Sequence, residues 1–258
     1  DVIEFITIAS TGNGSDFGDS TVDHEGGAVS SRTRFCGAGT VGYSNVIDFV
    51  TFSSTGDAQD FGDLTDARRS MNACSNQTRG LFLGGIDAPG QPTSNIIDFI
   101  TIASTGDARD YGDLITTSSN CSGNAGNPTR GLCLGGTPST TGSAQFVTIP
   151  TLGNSSTFGD LISSQGNRGA CSNSIRAVKG YEGSLEFLTI ATLGNSTNFG
   201  DLPRTGVFSM KGSFASSNLH MQLLQTPHDR LPGKLKCFTN TPATSHSGSI
   251  IYTVLLSI

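Results

Sequence analysis

The chain has 258 residues, of which 35% are hydrophobic and 34 are glycine, with a formal net charge of −6 and an isoelectric point near 5.0. That acidic balance argues against nucleic acid or anionic membrane as a partner, since both call for basic stripes. No stretch approaches eighteen apolar residues, so no membrane-spanning helix is expected, and the length suits one large core or a propeller of about five blades.

Taken in order, the chain repeats one word five times. It ends first at Phe17-Gly18-Asp19, then at Phe61-Gly62-Asp63, Tyr111-Gly112-Asp113, Phe158-Gly159-Asp160 and Phe199-Gly200-Asp201. Measured at the aromatic residue, positions 17, 61, 111, 158 and 199 are separated by 44, 50, 47 and 41 residues. A period in this range marks stacked or radially arranged supersecondary units. Residues 1–22 hold only the last two strands of a unit, and Asp1 already stands inside a repeat, as in a processed chain or an excerpt. The full units are 23–66, 67–116, 117–163 and 164–204.

The 67–116 unit shows the pattern most clearly. Asn72 to Asn76 is a short uncharged segment, and Thr78 to Gly85 is an apolar strand ending in a glycine doublet. Phe99-Ile100-Thr101-Ile102 is a β-branched and aromatic run, followed by the turn Thr105-Gly106-Asp107 and a last strand around Tyr111. Four short antiparallel strands leave two edges and two faces that one sheet cannot bury. Radial repetition covers them, so the fold expected is an all-β propeller of about five blades. Its ring should be closed by pairing residues 1–20 with a strand from 205–258.

Beyond Pro203 the repeat is lost. Arg204, Lys211, Arg230, Lys234 and Lys236 stand there against Asp229 alone, so this tail is basic while the preceding part is acidic. A tail packed on its own propeller is the plainer expectation, and docking on a neighbouring subunit the other.

Six cysteines raise the question of disulfides. Cys74, Cys121 and Cys171 recur near one place in successive units, too far apart for an S–S bond, and Cys133 replaces Phe82. Neither a C-x-x-C pair nor metal-ligand spacing occurs, so buried free thiols are expected.

Candidate chemistry is sparse. Glu4, Asp48, Asp98, Gln145 and Glu186 occupy one repeat position, and a residue type repeated around a ring should do a structural job, such as a turn or cross-strand hydrogen bond. Catalytic carboxylates of a glycoside hydrolase should break the repeat; among the glutamates only Glu25 and Glu182 do, without evident partners. The clusters Asp57, Asp60, Asp63 and Asp107, Asp110, Asp113 suggest Ca²⁺, but Asn replaces the first member elsewhere, and Asx-turns account for the pattern. A copper-oxidase site would need His, Tyr and Cys on one face, whereas three of the four histidines lie in the tail. No cofactor or metal is expected. The Asn-x-Ser/Thr matches are those that chance supplies in so Asn- and Ser-rich a chain.

Arg79-Gly80-Leu81-Phe82-Leu83-Gly84-Gly85, an acidic strand, a Thr-Gly turn and an aromatic together resemble the kelch repeat, with Phe or Tyr before Gly-Asp where kelch has Trp. In this variant, which covers residues 1 to 204, the chain resembles the kelch-like repeats of virion structural proteins of tailed, particularly marine, bacteriophages. That resemblance implies a non-catalytic decoration or tail-fibre module on the virion, contacting neighbouring virion proteins or a host-surface glycan or protein. A lectin-like propeller of a secreted bacterial protein is the alternative, and a glycoside hydrolase a third. The best candidate for a binding loop is 86–94, with Asp87, Gln91 and Thr93, because its two prolines and its length do not recur in other units.

Overall fold

In the computed structural model the described residues are 2–7, 11–40, 42–87, 93–137, 142–164, 166, 169–181 and 183–201. Among them every regular element is a strand. The first two are β1 (Val2–Phe5) and β2 (Ser15–Asp19), a two-stranded antiparallel sheet. Four sheets of four strands follow. They are β3 (Ala28–Ser30), β4 (Arg34–Ala38), β5 (Val46–Thr51), β6 (Gln59–Asp63); β7 (Asn72–Ser75), β8 (Arg79–Leu83), β9 (Ile96–Thr101), β10 (Arg109–Asp113); β11 (Ser122–Gly126), β12 (Arg130–Leu134), β13 (Ser143–Thr148), β14 (Ser156–Asp160); and β15 (Ala170–Ser172), β16 (Arg176–Tyr181), β17 (Ser184–Thr189), β18 (Thr197–Asp201). Within each the strands lie side by side in chain order. The expected all-β architecture of repeated antiparallel sheets is therefore present, in a propeller-like arrangement.

The apolar residues meet between sheets rather than within one. One cluster joins Ile47, Phe49 and Phe61 to Ile100, Ile102 and Ala108 of the following unit. A second joins Leu81, Ile97 and Tyr111 to Val147 and Ile149, and a third joins Leu132, Ala144 and Phe158 to Leu188 and Ile190. The first strands β3, β7, β11 and β15 pack in succession, each against the next. No unit could bury its faces alone, which explains why the sequence repeats.

A bulge gives the aromatic-Gly-Asp word its shape. Where β5 pairs with β6, Ile47 faces Gly62 and Asp48 faces Asp60, so the register steps over Phe61. The same step passes Phe17, Tyr111, Phe158 and Phe199. A bulge re-aims the extra residue, and here it sends the ring toward the neighbouring sheet. Four of these rings are buried, from 2% to 5% exposed. Phe199 differs from the other four: it is 44% exposed, because no described unit follows β18. The expected partner strand for β1 and β2 falls within 205–258, outside the described residues.

Candidate functional site

Each four-stranded sheet has a buried polar side chain on its third strand: Asp48, Asp98, Gln145 and Glu186, all 5% exposed or less. Their partners show what the repeat position does. Asp48 accepts from Thr21 N at 2.8 Å, Asp98 from Thr65 N at 3.3 Å, Gln145 Oε1 from Ile115 N at 2.9 Å, and Glu186 from Ile162 N at 2.8 Å. Every donor stands two residues past the fourth strand of the preceding unit. The job is structural, as the repetition implies, but the bond common to all four is neither a turn nor a cross-strand bond. The side chain fixes the segment by which the chain passes from one unit to the next.

Buried carboxylates need a counter-charge or several donors. Asp48 is 2.7 Å from His24 Nε2, Asp98 is paired with fully buried Arg68, and Glu186 is 3.4 Å from Lys179 Nζ. Gln145 is neutral; its amide donates to Thr116 Oγ1 at 2.7 Å instead. These partners were not singled out from the sequence, although a signal exists. The residue five past the Gly-Asp word is His24, Arg68, Ser118 and Gln165 in turn. A neutral residue stands there where the third-strand group is neutral Gln145. In the last unit, where Gln165 brings no charge, Lys179 supplies it from β16, directly opposite Glu186.

Two members of each Asp cluster also have structural bonds. Asp60 and Asp110 accept from the backbone N–H two residues on, Gly62 at 3.1 Å and Gly112 at 3.0 Å, which is the Asx-turn bond expected. The first member does something else. Asp57 accepts from Asp19 N at 3.1 Å, Asp107 from Asp63 N at 3.2 Å, Asn154 from Asp113 N at 3.0 Å and Asn195 from Asp160 N at 2.9 Å. It caps the outer strand of the preceding unit, a bond that Asn makes as well as Asp, which explains their interchange. Among the described residues no group of three or more His, Cys, Asp or Glu is arranged to hold a metal ion.

Backbone bonds complete each junction. Gly56 N donates to Phe17 O and Ala58 N to Asp19 O; Gly106 and Ala108 do the same to Phe61 and Asp63. The glycine of the aromatic-Gly-Asp word is required by this approach: a Cβ on Gly62 would stand 2.5 Å from the Gly106 carbonyl carbon, and φ there is +143°. Arg34, Arg79 and Arg130 stack on Phe49, Phe99 and Phe146 and donate to Ile102, Ile149 and Ile190 carbonyls of the next unit. Tyr111 alone adds a hydroxyl, directed at the Thr148 carbonyl at 2.6 Å and that of Thr151; burial pushes its pKa up to about 12.

The five described cysteines are buried free thiols. Burial pushes Cys36 and Cys74 up to about 12. Cys121 differs from its expected equivalence: a register irregularity in β11 places Ala125 opposite Leu132, where Cys74 and Cys171 face Leu81 and Val178. Cys121 instead sits 3.1 Å from Ser118 Oγ and beside Cys133, whose hydrogen bond lowers the Cys121 pKa and raises its own well above the usual value.

Of the candidate binding loop, both ends are described. Ile86 bridges to Arg69 and Thr93, and Thr93 Oγ1 donates to Thr117 Oγ1 at 2.9 Å. Asp87 is half-buried at the start, and its Oδ1 has no hydrogen-bond partner among the described residues. Gln91 lies outside the described residues. The structure thus shows a loop pinned at its base by β-type bonds.

Compared with known proteins, the chain matches no family model and no curated protein.

Proposed function

We propose that the chain is a non-catalytic structural and binding module, a kelch-like propeller of a tailed-phage virion that contacts neighbouring virion proteins or a host-surface glycan or protein through its loops. The finer architecture that goes with this reading is a set of about five blades, the first completed by strands from within 205–258. One observation supports it above others. The third-strand carboxylates and amide and the first Asx of each turn are spent on bonds between units, so these groups, which an enzyme or a blade-to-blade sugar site would draw on, already have structural partners. What does not recur is the 86–94 loop, anchored at its base and different from its counterparts in the other units. Variable loops on a fixed frame are where contact surfaces evolve. The virion assignment rests on the resemblance of the repeat words.

The test is to replace residues 87–93 with a short Gly-Ser turn in the full chain and compare folding, particle assembly and adsorption to host cells. Folding should survive, while assembly or adsorption falls. Unimpaired assembly and adsorption would remove the loop from the account.

A further inference from the structure

The junction described above has two halves, and the chain holds five copies of each. One half is the Thr/Leu-Gly-Asx turn, at Gly12, Gly56, Gly106, Gly153 and Gly194; the other is the aromatic-Gly-Asp strand, at Gly18, Gly62, Gly112, Gly159 and Gly200. Four pairs are matched. Gly56 N donates to Phe17 O, Gly106 N to Phe61 O, Gly153 N to Tyr111 O and Gly194 N to Phe158 O. Left over are the turn Thr11-Gly12-Asn13 at one end and β18 at the other. Among the described residues both stand open: a Cβ on Gly200 would meet nothing within 4 Å, whereas one on Gly112 would stand 2.7 Å from the Gly153 carbonyl carbon. Residues 11 to 14 are all exposed, and Phe199 keeps its edge-to-face contact with Phe187 but lacks the cover its four counterparts have. The apolar cluster beneath it, Cys171, Val178, Leu185 and Phe187, draws on one unit only, unlike the three that join neighbouring four-stranded units.

We infer that the Thr11-Gly12-Asn13 turn docks on β18 of the same chain and forms a fifth junction between the last unit and the first. This rests on the propeller reading, and uses described residues on both sides rather than the 205–258 strands. The contacts follow by analogy. Gly12 N donates to Phe199 O, Gly14 N to Asp201 O, and Asn13 Oδ1 accepts from Asp201 N. All four existing junctions join units of one chain, and an intramolecular partner is present at a far higher effective concentration than a second copy. Docking also covers an open strand edge. One bond is missing from the set. The residue two past β18 is Pro203, which has no N–H, so Glu4 receives no backbone donor corresponding to Thr21, Thr65, Ile115 or Ile162. The fifth junction is therefore the weakest, and the place where the ring opens first.

Amide hydrogen exchange on the full chain tests this. Gly12 and Gly14 should exchange on the order of a hundredfold more slowly than in an unstructured peptide, yet faster than Gly56 and Ala58. Their protection should not change on tenfold dilution. Phe199→Asp should abolish it while leaving Gly56 and Ala58 protected, which shows that the rest of the fold stands. Exchange of Gly12 and Gly14 at the unstructured rate would overturn the inference. So would protection that disappears on dilution, because the partner is then a second copy. Neither result bears on loop-mediated adsorption, which the 87–93 replacement reads separately.

Discussion

Asp98→Gln, with and without Arg68→Ser, examines the buried pairs most sharply. Both side chains are fully buried, and the Arg68 guanidinium also donates to the Gly84 carbonyl at 2.7 Å and the Ile96 carbonyl at 2.9 Å. Asp98→Gln alone leaves a guanidinium buried without its carboxylate, which should cost about 3–5 kcal/mol. Arg68→Ser alone leaves the carboxylate with only Thr65 N and Thr65 Oγ1 as donors and should cost a similar amount. The double variant reproduces the neutral arrangement of Gln145 and Ser118 one unit on. Its remaining losses are the two carbonyls, at about 1–3 kcal/mol for each group left unsatisfied, and the packing of the Arg68 side chain, which the Arg68→Ser single variant loses as well. The double variant should therefore be more stable than the sum of the singles by about 3 kcal/mol. Urea unfolding followed by circular dichroism and tyrosine fluorescence gives the values; the chain has no tryptophan. Additive singles, with coupling below about 0.5 kcal/mol, would refute the reasoning that acid and cation are chosen together.

Other outcomes follow from the same junctions. Phe61→Ala should cost about 3–5 kcal/mol, and Phe199→Ala clearly less, since that ring is 44% exposed; equal losses in thermal unfolding would contradict the burial of the four inner rings. Gly62→Ala should destabilise by at least about 1–3 kcal/mol, because its Cβ meets backbone that cannot swing aside; a neutral result would show that the approach to Gly106 is looser than described. Cys36 and Cys74, raised from 9.0 to about 12 by burial, should resist thiol reagents at pH 8 until the chain unfolds. Because the folded pKa lies above the unfolded one, their contribution to stability is complete below about pH 9 and falls as pH rises toward 12. A transition midpoint that stayed constant across that window in a Cys36→Ala, Cys74→Ala variant and in the parent alike would remove these thiols as a cause.

Much of the frame was legible because each unit writes its strands as short β-branched, aromatic and apolar runs and its turns with Gly and Asx. The aromatic at 17, 61, 111, 158 and 199 announced the unit, and the repeated acid at 48, 98 and 186 announced a structural role. What the acid bonds to was harder to read. His24 and Arg68 stand five residues past the Gly-Asp word, but Lys179 reaches its carboxylate from β16, so one spacing does not find all three; the matching of charge between positions does. The bulge that turns Phe61 toward the next unit was hidden as well, since it follows from pairing register rather than from residue type. In the candidate loop, the prolines and the absence of a repeat pointed to 86–94, but sequence says nothing of the bridge from Ile86 to Arg69 and Thr93 that holds its base.

The central functional claim is that this propeller-like module is part of a virion. Its most direct test is immunogold electron microscopy with antibodies against residues 1–201, applied to gradient-purified tailed particles from the source that encodes the chain. The account predicts that the chain sediments with intact particles and that gold marks the capsid surface or a tail fibre. Recovery of the chain only in the soluble fraction, with unlabelled particles, would contradict it.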